Sequence, residues 1–300
     1  MKDFTAACVQ IAITPNDVQA NVKKGVLWLR KAVAESGADL IVFPETVTTG
    51  YETGLSANEL WDLVDDAPGK ISDEIQKTAA ELGVHVVWPS YRRGPERGEV
   101  FNSSILIGPD GNILGIYDKT HPAPWERRAH GGWVEVGDRA EVYETELGSI
   151  GMIICYDGDF PELSRILAVN GAEIIIRASA LQRSYDIWYI TNAARAYDNH
   201  VYFIACNLVG PDAAGNYGFG HSMILNPIAW RLAQARGTEE IIAARLDPDP
   251  LRYITWGSKH PQTFDHLQDR NLDLYEGSLK EARSRFEIGQ RFDPLESDEG

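Results

Sequence analysis

Apolar residues along the chain fall into short unbroken runs that alternate with stretches of helical spacing. Residues 5–13, rich in Val, Ile and Ala, read as a buried strand. Between residues 21 and 36, Val22, Val26, Leu29 and Val33 recur on one helical face, and Gly37 marks the stop. Residues 39–43 form the next apolar run, and Ile71, Ile75, Ala79 and Leu82 mark a second helix ahead of a strand at 84–91. The runs 100–107 and 113–118 flank Pro109-Asp110-Gly111, which predicts a hairpin. The second half repeats this style. Strands are predicted at 141–146, 150–155, 174–178 and 201–208, with helices at 160–169 and 185–198 among them. Strands at 222–226 and 230–235 close the sheet, with 241–246 beside them. Two halves built on strand–helix–strand units, with a strand-rich close, imply a layered α/β architecture in which helices cover sheet faces.

No linker interrupts residues 1–250, so that stretch is expected to form one domain. From Asp247 onward Pro, Asp and Arg become frequent and the periodicity fades. Residues 251–300 are expected to pack on the domain or on a partner subunit, with the acidic end after Arg291 disordered.

Composition narrows the classes of function. Hydrophobic residues make up 44% and charged residues 24%, which is ordinary for a soluble globular protein. The net charge of −16 argues against nucleic acid, which needs a basic footprint, and against an anionic membrane surface. No apolar run approaches the ~18 residues of a membrane span, and the N-terminus turns polar too soon for a signal peptide. Three cysteines are an odd and sparse set that does not suggest a disulfide framework, so a reducing cytoplasm is the expected location. Asn102-Ser103-Ser104 has the form of a glycosylation sequon, a chance match in such a chain.

The three cysteines differ in setting. Cys8 and Cys206 lie inside apolar strands, where a thiol reads as a small core residue. Cys155 ends the run Ile150-Gly151-Met152-Ile153-Ile154 and precedes Tyr156-Asp157-Gly158-Asp159-Phe160-Pro161-Glu162, which opens a helix. A thiol there sits where ligand sites form in α/β sheets, and where the positive end of a helix dipole would stabilise thiolate. Glu45 and Lys119 each close a strand in the same way. Taken singly, each of the three is also consistent with an ordinary polar residue at a strand end. Taken together they have a shared use if the strand ends converge on one crevice. The thiol needs a base, which Glu45 would supply. A tetrahedral intermediate needs donors aimed at its oxygen, which Lys119 and the backbone N–H of Tyr156 would supply.

Phe43-Pro44-Glu45, Tyr117-Asp118-Lys119-Thr120-His121 and Ile153-Ile154-Cys155-Tyr156-Asp157 with Phe160-Pro161-Glu162 resemble the three motifs of the nitrilase, or carbon–nitrogen hydrolase, superfamily. Their order and wide spacing match as well, and the resemblance runs over residues 4–250, with further matches at Arg195-Ala196-Tyr197-Asp198-Asn199 and Gly220-His221-Ser222. It implies a four-layer α-β-β-α sandwich that dimerises across helix faces. Separately, no metal-ligand spacing is present among the histidines and cysteines, so no metal and no cofactor are expected. The resemblance also implies a second glutamate between the lysine and the cysteine. Glu126 is the candidate and Glu135 the rival, because the stretch from Glu126 to Asp138 is longer than the common family pattern. The string after Cys155, with Ile176-Arg177 and Gly220-His221-Ser222, is similar to the aliphatic amidases and formamidases. The expected reaction is therefore hydrolysis of a small amide, with water, to an acid and ammonia through a thioester.

Alternatives remain on the sequence alone. Arg177 at a strand end would hold the carboxylate of a carbamoyl amino acid bidentately, or else pair with a nearby Asp or Glu. A nitrile substrate and a non-catalytic partner-binding role are further readings; the intact Glu45, Lys119 and Cys155 set argues against the latter. His-Glu-x-x-His, Gly-x-Ser-x-Gly and a dinucleotide-binding Gly-x-Gly-x-x-Gly after the first strand are all absent. Trp125, Trp133, Trp188 and Tyr51 are candidates to narrow a pocket.

Overall fold

Strands near the N-terminus divide their side chains between two apolar layers, and this division sets the architecture. The computed structural model describes residues 1–248 and 265–275. In β1 (Phe4–Gln10) and β2 (Leu40–Val42), the residues Ala6, Cys8, Leu40 and Val42 point into one cluster, while Ala7, Val9 and Ile41 point into another. Side chains of successive strand residues face opposite ways, so a strand apolar at every position must be covered on both sides. Helices α1 (Val18–Ser36) and α3 (Asp73–Leu82) cover the outer side through Val22, Leu29, Ile75 and Ala79. A second sheet covers the inner side, and helices α4 (Pro161–Val169) and α5 (Tyr185–Asn199) cover that sheet through Leu163, Leu167, Trp188 and Ala196. The result is a four-layer α-β-β-α sandwich.

Among the described residues each large sheet has six strands. The first adds β3 (His85–Arg93), β4 (Val100–Ile107), β5 (Ile113–Asp118) and β14 (Glu240–Leu246) to β1 and β2, in the order β14-β1-β2-β3-β4-β5. The second comprises β6 (Val142–Thr145), β7 (Gly148–Ile154), β8 (Ile174–Ser179), β9 (Tyr202–Asn207), β12 (Met223–Leu225) and β13 (Arg231–Gln234), in the order β13-β12-β9-β8-β7-β6. β1 to β3 are parallel, as are β7 to β9, and antiparallel strands flank both sets. A ribbon of β10 (Val209–Pro211) and β11 (Tyr217–Phe219) and the helix α2 (Ala57–Leu63) complete the main body.

Two differences from the sequence reading have physical causes. Residues 241–246 do not finish the second sheet; β14 returns to the first and pairs antiparallel with β1. Its Ile242 and Ala244 join the layer between the sheets while Ile241 and Ala243 join the helix side, which is the same two-layer division that β1 makes. Helix α2 escapes an apolar-periodicity reading because Leu60 is its one buried residue. It is held by its start instead, where Ser56 and Glu59 cap each other's backbone N–H groups. Of the C-terminal expectation, residues 265–275 lie against α4 and α5: Arg165 Nη1 donates to the His266 carbonyl at 3.1 Å, and the His266 ring stacks on His200 at 4.2 Å. This segment carries the short helix α6 (Leu272–Tyr275). The remainder of that expectation falls on 249–264 and 276–300, outside the described residues. No helix among the described residues is long and apolar enough to cross a membrane.

Helix α1 packs tightly on its sheet at Gly25, where an added Cβ would lie 2.3 Å from the Trp88 ring. Trp88 is fully buried and tethered by its Nε1 donating to the Ile71 carbonyl at 2.8 Å, so it has nowhere to retreat. In an open helix Gly→Ala gains up to ~1 kcal/mol. Here overpacking should outweigh that, and Gly25→Ala should destabilise by about 1–3 kcal/mol. Denaturant unfolding measures the difference; an unchanged or raised midpoint would show that the ring has room to move.

Candidate active site

The second sheet delivers a cysteine on a strained turn. β7 ends at Ile154, and Cys155 follows with φ at +46°, a region that non-glycine residues seldom occupy. A 3₁₀ turn, Cys155–Asp159, then leads to Pro161 at the start of α4. Asp157, fully buried, holds the turn in place. Its carboxylate accepts from the Ile154 N–H at 2.8 Å, the Tyr117 hydroxyl at 2.7 Å and the His121 N–H at 2.8 Å. From the other side Arg177 Nε and Nη2 donate to the Cys155 carbonyl at 2.8 and 2.5 Å. Gly158 is what lets that guanidinium come so close, since a Cβ there would lie 2.2 Å from Arg177 Cζ.

The first sheet delivers the charges. Glu45 follows β2, Asn102 lies within β4, Lys119 follows β5, and Glu126 comes from the loop beyond it. All four are buried. Lys119 Nζ donates to Glu45 Oε1 at 2.9 Å and to Glu126 Oε2 and Oε1 at 2.8 and 3.2 Å. Asn102 Nδ2 spans the same two carboxylates at 2.8 and 3.3 Å. The remaining Glu45 oxygen accepts from the Ala180 N–H at 2.7 Å, just past β8 of the opposite sheet, and Glu126 Oε2 accepts from the Ala123 N–H at 2.7 Å. Burial alone would push the Lys119 ammonium down, but Glu126 and Glu45 outweigh it and hold the group above its ordinary value. Lys119 therefore stays charged. For Cys155 the balance falls the other way. Burial, with Glu45 adding to it, pushes the thiol up to about 12 against the pull of Lys119 and Arg177.

A cavity of about 510 Å³ opens over these groups, with Cys155, Lys119, Tyr51, Tyr156, Trp125, Leu181 and Arg183 in its wall. The structure thus brings Glu45, Lys119, Glu126 and Cys155 into one site. Glu135, the rival to Glu126, is at the surface, paired with Arg128 at 2.6 Å. Arg177 is adjacent but does not line the cavity. Its guanidinium is fully buried, and its five N–H groups go to the Cys155 carbonyl twice, Thr191, Asn192 and Asp159. The expectation of a substrate carboxylate anchor is corrected accordingly: this side chain braces the turn. The expected help from a helix start also gives way, because α4 begins six residues beyond the thiol and burial governs it. Cys8 and Cys206 are fully buried in the layer between the sheets, with thiols directed at the Ala205 and Val9 carbonyls. Of the four aromatic candidates, Tyr51 and Trp125 face the cavity, Trp133 backs Tyr51, and Trp188 packs under Arg177. Two residues of the site are not singled out by residue order: Asn102 has the form of a chance sequon, although a polar run inside an apolar strand is an available signal, and Asp157 enters only as part of a motif.

Comparison with known proteins agrees with this arrangement. The carbon–nitrogen hydrolase family model matches residues 5–254. A probable nitrilase of Schizosaccharomyces pombe is 31% identical over 91% of this chain and 97% of its own length. A formamidase of Bacillus cereus is 30% identical over 93% of this chain and 84% of its own length. In fold, an amidase from Nesterenkonia sp. superposes with a TM-score of 0.76 at 23% identity, over 92% of this chain and 96% of that one. The chain belongs to the carbon–nitrogen hydrolase family and is a hydrolase of carbon–nitrogen bonds.

Proposed function

We propose that the protein hydrolyses a small amide to its carboxylic acid and ammonia through a thioester on Cys155. The observation that carries this reading is a thiol in a cavity wall beside a lysine held between two buried glutamates. A thiol pushed up to about 12 is neutral at pH 7, so it needs a base at the moment of attack. Glu45 takes the thiol proton as sulfur bonds to the amide carbon, and the carbonyl electron pair moves onto oxygen. Lys119 and the Tyr156 backbone N–H stabilise that oxyanion. Glu45 then passes the proton to nitrogen, ammonia leaves, and the thioester remains. Water, deprotonated by Glu45, releases the acid. Glu126 and Asn102 hold the Lys119 ammonium and Glu45 in register throughout. The formamidase relative supports an amide, and the probable nitrilase relative makes a nitrile the reading that the matched-substrate assay decides. A carbamoyl amino acid is the weaker alternative, because Arg177 has no free donor to offer a carboxylate.

Ammonia release from formamide, acetamide, propionamide, longer amides, ureido acids and matched nitriles tests the reaction. Hydroxylamine should divert the acyl group into a hydroxamate. A nitrile cleaved faster than its amide would refute the assignment. Cys155→Ala should abolish turnover with the fold retained, whereas Cys206→Ala should keep activity and lose about 1 kcal/mol of stability; an active Cys155→Ala enzyme would refute the nucleophile.

Glu126→Gln keeps the side-chain shape but removes a charge from Lys119, and should lower kcat roughly 100-fold if it disturbs an oxyanion donor. Glu135→Gln should remain within about twofold, as surface substitutions do. The reverse ranking would assign the second glutamate to the wrong position.

The state of the free thiol can be read directly. Modification of Cys155 by methyl methanethiosulfonate should accelerate about tenfold per pH unit from 7 to 10, tracking thiolate. An ordinary thiol levels off near ~8.5. A plateau below pH 8 would mean that Lys119 pairs with thiolate in the resting enzyme.

A further inference from the structure

The hydroxyl of Tyr51 is a polar group of the cavity wall to which the chemistry above gives no task. Tyr51 ends the buried loop that follows Glu45 and is 7% exposed. Its surroundings fix the ring. The Tyr51 carbonyl accepts from the Tyr91 hydroxyl at 2.9 Å, and Trp133 Nε1 donates to that same hydroxyl at 3.0 Å. The Trp133 ring meets the Tyr51 ring edge-on at 6.3 Å, and the Lys119 ammonium lies 5.4 Å from the Tyr51 ring centre. Yet the Tyr51 hydroxyl makes no hydrogen bond among the described residues, in a side chain more than nine-tenths buried and lining the cavity with Cys155. Because it is not among the fully enclosed unpaired atoms, the hydroxyl opens onto the cavity, where a ligand can take its hydrogen bond.

Most other donors in the wall are engaged. The Lys119 ammonium is directed at Glu45 and both oxygens of Glu126. Gln182 Nε2 donates to Asp212 at 2.9 Å, and Arg183 Nη2 donates to Asp159 at 2.7 Å. An amide brings a carbonyl oxygen whose charge grows during attack, and a donor that no carboxylate already holds would add to the Lys119 ammonium and the Tyr156 backbone N–H assigned to it above. We propose that the Tyr51 hydroxyl donates a hydrogen bond to the substrate carbonyl oxygen and to the oxyanion it becomes. The proposal rests on Cys155 being the thioester-forming nucleophile. As the sulfur–carbon bond forms, the carbonyl π pair moves onto oxygen and the thiol proton goes to Glu45. Tyr51 keeps its proton and lends it as a hydrogen bond. The pair returns when ammonia leaves, and the cycle repeats as water attacks the thioester. Burial, reinforced by the nearby Glu126, keeps the phenol well above its ordinary range and so protonated throughout.

Tyr51→Phe keeps the ring and removes the donor. On propionamide, kcat should fall roughly 10- to 100-fold with KM within about threefold, the signature of a bond that strengthens in the transition state. Trp133→Phe loosens the same wall without touching the hydroxyl, and should stay within about twofold in kcat. Propionaldehyde supplies a readout that needs no turnover: the thiol adds across its C=O, the proton passes to oxygen, and the hemithioacetal presents that oxygen to Tyr51. Its affinity, measured by calorimetry, should weaken about tenfold or more in Tyr51→Phe. Unchanged kcat and aldehyde affinity, a loss confined to KM, or an equal loss in Trp133→Phe would each overturn the proposal. Failure of the underlying reading looks different: wild-type enzyme would then neither release ammonia nor bind the aldehyde through Cys155, and the role of Tyr51 would fall with it.

Discussion

A buried ammonium between two buried carboxylates is the constraint around which this molecule is arranged. Taking one charge of such a group out of water costs several kcal/mol, and removing a partner from a buried pair typically costs about 3–5 kcal/mol. Lys119 is therefore stable only where Glu45 and Glu126 both reach it, with Asn102 bridging those two carboxylates. That requirement fixes the ends of β2, β4 and β5 relative to one another and draws the loop after Lys119 inward. The same arrangement leaves Glu45 with one oxygen committed to Lys119 and one to the Ala180 N–H across the interface. Glu45 is thus one point at which the first sheet is tied to the second.

The turn bearing Cys155 answers a complementary demand. A thiol in a dry site is disfavoured as an anion, and here burial prevails over two nearby cations. In the proposed reaction such a thiol stays neutral until a substrate arrives, and it must then be held rigidly beside its base. Asp157 and Arg177 meet that need by gripping the turn from opposite sides, one through the Ile154 N–H and one through the Cys155 carbonyl. Both are charged residues used to position backbone, which explains why neither opens toward the cavity.

Much of this was legible from residue order, and the rest was not, for identifiable reasons. Strand and helix alternation followed from the apolar runs, because β1, β2 and β7 are buried on both faces. Glu45, Lys119 and Cys155 stood out by ending such runs. The ambiguity between Glu126 and Glu135 could not be resolved there, since both lie in one irregular loop whose path is set by backbone bonds: the N–H groups of Trp133 and Val134 donate to the Glu126 carbonyl and turn Glu135 outward to Arg128. Arg177 misled for a similar reason. A strand-end arginine has the chemistry of an anion anchor, and only three-dimensional proximity to the Cys155 carbonyl, Thr191, Asn192 and Asp159 shows that its donors are already taken. β14 was misplaced because alternation says that a strand has two covered faces without naming the neighbour it joins.

The triad of two glutamates and one lysine carries one negative charge in excess when both carboxylates are ionised, and the thiol adds none. A neutral amide meets no repulsion on arrival. Its acid product, ionised at neutral pH with a pKa near ~4–5, brings a second negative charge into a site with poor screening. Like charges at close quarters favour separation, so the arrangement that prepares the nucleophile also ejects what it makes. Repulsion of the ionised acid weakens its retention, so accumulating product leaves the cavity open to the next substrate.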